Sequence, residues 1–135
     1  MKPKPRRVRG VGAGRRTRRS LSRGGTGPGA DLNQVLGRWP GVKITPMFGR
    51  WGYFVGAELF ACFPLRAKDR DLWIRLSPGD QRRALAVGMR PHRRFAARGW
   101  VECDLDSPTE VGRAIRWLRR SYETVTRVAR DEDAP

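Results

Sequence analysis

The stretch from Val42 to Leu76 constrains the fold more than any other part of this 135-residue chain. It holds most of the aromatic residues, and its β-branched and aromatic residues are interrupted at Gly49, Gly52 and Gly56. This pattern is typical of short antiparallel strands joined by tight turns. Glycine reaches the positive φ angles that such turns need and that other residues resist. We therefore predict a β-meander with reversals between Gly49 and Gly52 and at Gly56.

The last predicted strand of this stretch has one apolar face. Leu72, Ile74 and Leu76 alternate with Trp73 and Arg75, and successive side chains of a strand point to opposite faces. One face of the sheet should therefore be buried, and the other should be at least partly exposed to solvent.

Helix signals flank the sheet on both sides. A short helix is predicted from Asp31 to Gly37, with Asp31 as the N-cap and Gln34 as its capping-box partner. Ser77 caps a second predicted helix that ends at Gly88.

The strongest helix prediction lies near the C-terminus. Ser107, Pro108 and Glu110 supply an N-cap, a proline at the first helical position and a capping-box carboxylate. The apolar residues that should pack on the sheet recur at helical spacing: Val111, Ile115, Leu118, Tyr122 and Val125.

The segment between the second and third predicted helices returns to a strand pattern. Val101, Cys103 and Leu105 share one face, and Glu102 and Asp104 share the other. We predict a half-buried strand added at the edge of the sheet. The fold class is α+β, an antiparallel β-meander with helices on one face, in the order α-β-β-β(-β)-α-β-β-α.

Four motifs in this part of the chain resemble the N-terminal domain of the TfoX/Sxy family of competence regulators, over about residues 31–125. The motifs are Met47-Phe48-Gly49, Gly52-Tyr53-Phe54, Glu58-Leu59-Phe60-Ala61 and Asp71-Leu72-Trp73-Ile74-Arg75. Arg50-Trp51 stands where the family usually has Gly-Tyr. The resemblance implies a stand-alone α+β domain that acts in regulation, without catalysis.

Charge divides the chain into three predicted parts. Residues 1–29 contain ten Lys or Arg residues and no acid, and they contribute most of the formal net charge of +16. We predict a disordered basic Arg/Gly-rich arm there, a folded domain over residues 30–128 and an acidic tail over residues 129–135. The arm is either a nucleic-acid-binding segment or a leader without function, translated from a start codon chosen too far upstream.

The predicted nucleic-acid contacts lie in the arm and on the last helix. In the arm they are Arg6, Arg7, Arg9, Arg15, Arg16, Arg18 and Arg19. On the helix they are Arg113, Arg116, Arg120 and Arg127, which fall within about 60° of one another at 100° per residue. Such a stripe is either a solvated face or a phosphate-contacting face.

The sequence offers little for catalysis or for cofactor binding. His92 is the only histidine, and it lies among arginines that oppose its protonation. Cys62 and Cys103 are far apart and are expected to be free buried thiols. No zinc-ligand spacing and no credible dinucleotide cradle occurs, so we predict no metal, no cofactor and no enzyme. Four aromatic residues form either core or a base-stacking platform: Trp51, Tyr53, Trp73 and Trp100.

The functional prediction combines the charge with the resemblance. We expect a regulatory or binding module, related to transcription or competence, with non-specific affinity for nucleic acid. The alternative is a protein-interaction or scaffold domain whose basic surface only keeps it in solution. No apolar run is long enough to span a bilayer, and we expect a cytoplasmic protein whose partner is nucleic acid or a regulatory protein.

Overall fold

An antiparallel sheet of six strands organises the computed structural model, which describes residues 26–133. The α-helices are α1 (Pro28–Leu36), α2 (Pro78–Ala86) and α3 (Pro108–Asp133). The strands are β1 (Val42–Met47), β2 (Arg50–Val55), β3 (Glu58–Pro64), β4 (Asp71–Arg75), β5 (Arg90–Pro91) and β6 (Trp100–Asp104), and a 3₁₀ turn covers Ala96–Arg98. The spatial order is β1-β2-β3-β4-β6-β5. The predicted α+β class and the order of its elements are confirmed.

The first hairpin turns earlier than predicted. Met47 pairs with Arg50, so that Phe48 and Gly49 form a two-residue turn with φ angles of 50° and 77°. Two positive φ angles define a type I′ turn, whose twist matches the flanking strands. The predicted reversal between Gly49 and Gly52 is therefore wrong in its extent, because Gly52 lies within β2.

Close packing of neighbouring side chains explains why position 52, in the middle of β2, is a glycine. A Cβ atom at this position would lie 2.7 Å from Met47 Sδ and 2.9 Å from a ring carbon of Phe54. Real Cβ contacts do not occur at these distances, so a larger residue would displace both side chains. The predicted turn at Gly56 is confirmed, because Val55 pairs with Glu58 and Gly56 has a φ of 59°.

The first helix begins before the predicted N-cap. Gly27 is the N-cap and makes no side-chain cap, and Pro28 occupies the first turn. Proline suits this position because its fixed φ is helical and its missing N–H would be unpaired anyway. Asp31 therefore lies in the first turn, where its carboxylate interacts favourably with the positive end of the helix dipole.

The second and third helices begin as predicted. Ser77 Oγ accepts a hydrogen bond from the Asp80 N–H at 3.3 Å, and Ser107 Oγ accepts one from the Glu110 N–H at 3.3 Å. The Glu110 carboxylate accepts from the amide of Asp106, one residue before the amide used in an ideal capping box.

The buried stripe of α3 is partly different from the predicted one. Leu118 is 0% exposed, and Val111, Tyr122 and Val125 are also buried, whereas Ile115 is only half-buried. Ala114 and Ser121 complete the buried stripe, because they lie between Val111, Leu118 and Val125 on the side that faces the sheet. Ile115 packs against the core as predicted but stays partly exposed, and Ala114 and Ser121, which the prediction left out, are more deeply buried.

The strand at residues 100–104 is not the edge of the sheet. β6 lies between β4 and the two-residue strand β5, which forms the edge. The chain reaches β6 through Gly99, whose φ is 95° and where a Cβ atom would lie 2.2 Å from the carbonyl oxygen of Leu76. Only glycine allows the two backbones to approach this closely.

The sheet has a covered face and an open face. Tyr53, Ala61, Ile74 and Val101 are register partners in a row across four strands, and each is 0% exposed. They belong to one core with residues from all three α-helices. The neighbouring row points the opposite way and contains Gly52, Cys62, Trp73 and Glu102. We call these two sides the covered face and the open face.

Candidate nucleic-acid interface

The predicted contact residues divide between two parts of the chain. All seven arginines predicted in the arm lie outside the described residues. All four arginines of the predicted stripe on α3 are exposed, and three of them line one cavity of about 410 Å³. These three are Arg113, Arg116 and Arg120, whereas Arg127 lies further along the helix and does not line the cavity.

A second helix completes the cavity. Arg83 of α2 lines it, and so does the half-buried ring of Trp117, which lies beside Arg116 and four residues from Arg113 on α3. The guanidinium groups of two helices therefore share one concavity around an indole ring. We call this set of four arginines and Trp117 the arginine groove.

One carboxylate sets the geometry of the arginine groove. Asp80 Oδ1 accepts hydrogen bonds from Arg120 at 2.8 Å and from Arg83 at 3.0 Å, and its side chain is only 9% exposed. The hydrogen bond from Arg120 and the neighbouring positive charges lower the pKa of the Asp80 carboxyl, although its burial opposes them. Asp80 therefore stays ionised at neutral pH and holds α2 against α3.

The same contact divides the arginines into two kinds. Arg120 and Arg83 are engaged with Asp80, whereas the structure shows no ion pair for Arg113 or Arg116 within residues 26–133. Because exposed guanidinium groups present several donors in a planar fork, these two residues are suited to phosphate oxygens. Arg120 mainly positions the helix.

A smaller cavity of about 270 Å³ continues from the arginine groove and shares Arg113 and Trp117 with it. Its far wall is acidic, with Asp104, Asp106 and Glu110. Arg90 also lines this cavity, where it pairs with Asp104 at 3.0 Å. It also lies 3.5 Å from Glu102, outside the lining, and the contacts with Asp104 and Glu102 raise the Arg90 pKa. The smaller cavity therefore carries charges of both signs, whereas the charged residues that line the arginine groove are all arginines.

Sequence reasoning missed Arg83, Asp80 and Trp117 as parts of this site. Arg83 follows Asp80 by three residues on α2, so an ion pair within that helix could have been predicted. The contact from Asp80 to Arg120 spans 40 residues of sequence and has no local signal.

The structure does not bring the four predicted aromatic residues together as a platform. Tyr53 is buried in the core, where its hydroxyl donates to Asn33 Oδ1 at 2.6 Å and burial raises its pKa. Trp51 packs against the same core. Trp73 and Trp100 line the open face instead, beside Phe48 and Phe95.

The remaining reactive groups are His92 and two cysteines, none of which lines the arginine groove. His92 is 4% exposed, and its Nδ1 accepts from the amides of Arg94 and Phe95. Burial lowers the His92 pKa, and although the Glu102 carboxylate opposes this, nearby arginines lower it further. Cys62 is a free buried thiol, as predicted, whereas Cys103 is free but only half-buried. Burial raises the Cys62 pKa to about 11 and the Cys103 pKa to about 12, so both are protonated and unreactive at neutral pH.

Two further features bear on the function. Among residues 26–133 no group of three or more metal-ligating side chains comes together. No helix in the same range has the length and apolarity to cross a bilayer.

The chain was also compared with known proteins. It matches no model of a known protein family, and no curated protein has significant sequence similarity to it. The resemblance to the TfoX N-terminal domain therefore stays a prediction that depends on the four motifs.

Proposed function

We propose that this protein is a non-enzymatic binding module that holds nucleic acid through the phosphate backbone at the arginine groove. The observation that supports this proposal is the convergence of Arg83, Arg113, Arg116 and Arg120 from two helices on one cavity. Arginine is the side chain best suited to phosphate recognition, and a concave arrangement allows several groups to contact one strand. The TfoX-like motifs support a regulatory role related to transcription or competence.

Phosphate contacts determine the character of the binding. They position a protein on nucleic acid and carry no base information, so the affinity should depend weakly on sequence. Each neutralised phosphate releases a counterion, so the affinity should fall steeply with salt. The ten basic residues in residues 1–29 add to the same non-specific term.

The test compares two charge-reversal variants of the full chain. Arg113→Glu/Arg116→Glu removes the unpaired charges of the arginine groove and leaves the bridge from Asp80 to Arg120 intact. Arg66→Glu/Lys68→Glu makes the same change in net charge on an exposed loop away from the groove. Binding to duplex and single-stranded DNA is measured by anisotropy over a salt series.

We expect the groove variant to lose at least about tenfold in affinity and to lower the slope of log affinity against log salt by about 1.8, which corresponds to two phosphates at 0.9 each. The loop variant should lose less affinity, because its substitutions weaken only the long-range electrostatic attraction between the protein and the DNA. Equal losses in the two variants would show that the groove has no special role, and the proposal would then be wrong.

A second function is favoured by a different part of the molecule. The open face of the sheet exposes apolar side chains that none of the helices within residues 26–133 covers, which supports the protein-interaction alternative. The two functions use separate surfaces and do not exclude each other.

A further inference from the structure

The tip of the first hairpin presents an aromatic ring to solvent. Phe48 is 95% exposed and has a φ of 50°, at the first central position of a type I′ turn. Asn, Asp and Gly are the residues preferred there, because a bulky side chain resists a positive φ. Phe48 is therefore unfavourable in two respects: its backbone has a φ that phenylalanine resists, and its apolar ring is exposed to water. Residues that keep such unfavourable features are often functional.

A cleft lies beside this ring on the open face. It has a volume of about 420 Å³. Its lining is mostly apolar, with Met47, Phe48, Leu59, Trp73 and Phe95 among its residues, and it also includes Arg50 and Arg98. Phe95 is itself 42% exposed. The hairpin tip forms one side of the cleft, and the loop between β5 and β6 forms the other.

Packing around Trp73 holds the lining of the cleft in place. The Arg50 guanidinium lies 3.5 Å from the centre of a Trp73 ring and forms an ion pair with Asp71. The His92 ring meets Trp73 edge-on, with centroids 4.3 Å apart, and accepts the amide hydrogens that fix the turn before Phe95. The cleft is therefore built into the fold and does not require a ligand in order to form.

The lining decides between a nucleobase and an apolar side chain as the ligand. A nucleobase carries donors and acceptors on its edges, and burying these groups unpaired is unfavourable. Of the polar groups in the lining, Arg50 already donates to the carbonyl oxygen and the carboxylate of Asp71, and the Trp73 indole N–H donates to the same carboxylate. The cleft therefore suits a large apolar side chain better than a base.

The charge around the cleft decides what surrounds that side chain. Arg98 lines the cleft, and Arg93 and Arg94 lie exposed in the same loop. In the part of the chain that the structure describes, none of the three has a carboxylate partner. A ligand that places acidic groups beside this loop would complement its charge.

We propose that the open-face cleft binds an acidic peptide segment of a partner protein, which inserts one large apolar side chain between Phe48 and Phe95. This recognition is separate from the arginine groove and does not depend on nucleic-acid binding. Apolar anchors that fill a preformed pocket, with charges around them, are a common basis of peptide recognition.

The experiment uses the full chain and a panel of short synthetic acidic peptides. Each peptide carries one Phe, Leu, Trp or Met in an Asp/Glu-rich sequence, and its control has serine at that position with the same charge. Affinity is measured by fluorescence anisotropy at about 150 mM salt, where exposed charges are screened beyond about 8 Å. The serine controls measure the attraction that results from charge alone.

Two protein variants locate the binding. Phe48→Asn removes the ring and suits the turn. Val87→Asn removes an apolar side chain that is 71% exposed on the loop after α2, away from the cleft. Neither variant changes the charge, so any difference between them reflects the cleft.

We expect at least one anchored peptide to bind about tenfold more tightly than its serine control, and we expect Phe48→Asn but not Val87→Asn to abolish that gain. The proposal is overturned if no peptide gains from its anchor, or if both variants bind equally. It is also overturned if sedimentation shows a Phe48-dependent dimer, because a second copy would then occupy the cleft. Loss of DNA binding in the groove variant leaves this result unaffected, so the two proposals fail independently.

Discussion

The covered and open faces of the sheet are built from the same strands but have opposite uses. Phe60 on the covered face is 0% exposed and packs between Tyr53 and Tyr122, whereas Phe48 at the edge of the open face is 95% exposed. Both faces are rich in aromatic residues. The difference lies in what covers them, because the core residues of the helices all pack on one side. Apolar side chains therefore stabilise the fold on one face and are left available for binding on the other.

The largest effect should come from the covered face. We expect Leu118→Ala to lower the free energy of unfolding by about 2 to 5 kcal/mol, because it removes a fully buried side chain and leaves a cavity. The matched variant Leu59→Ala on the half-buried open face should lower it by clearly less. Urea denaturation measures both, and equal losses would contradict the division between the two faces.

An intermediate effect should come from the ion pair that joins the helices on the covered side. We expect Asp80→Asn to lower the free energy of unfolding by about 1 kcal/mol, since a charged hydrogen bond between α2 and α3 is lost and its partners are exposed. Asp106→Asn changes an exposed carboxyl and should have a smaller effect. Urea denaturation at neutral pH compares the two variants.

The pH dependence of the same pair has a definite sign. The folded-state pKa of Asp80 is lowered from 3.8, so its stabilising contribution is complete above that pH. The contribution is lost as the pH falls through the lower folded-state pKa. The difference in stability between the wild type and Asp80→Asn should therefore shrink in acid, and a difference that grows in acid would contradict the assigned pair.

The smallest effect on stability should come from the open face. We expect Phe48→Asn to change the free energy of unfolding by no more than about 0.5 kcal/mol, because the exposed ring buries little surface and Asn is preferred in this turn. Thermal denaturation measures the change. A loss as large as that of Leu118→Ala would show that Phe48 is a core residue after all, and the comparison between the faces would fail.

Local signals in the sequence were sufficient for much of the fold. Ser77 and Ser107 begin their helices as predicted, because a cap is satisfied by residues three positions away. The turn at Gly56 was predicted for the same reason, since positive φ is a property of one residue and its neighbours. The alternation of Leu72, Ile74 and Leu76 identified the buried face of β4, because each side chain of a strand can point to only one of two faces.

The tertiary structure alone decided the rest, because the remaining contacts join residues that are far apart in the chain. Helix periodicity placed Leu118 in the core correctly, but it could not show that Ala114 and Ser121 are buried beside it while Ile115 stays half-buried. Gly52 was predicted to belong to a turn, but it lies within a strand, where the absence of a side chain leaves room for Met47 and Phe54. The arginine groove depends on the approach of α2 to α3 at Asp80, and the open-face cleft depends on a loop that packs against Trp73. The sequence by itself determined which segments form helices and strands, whereas tertiary packing decided which arginines share a cavity and which face of the sheet stays uncovered.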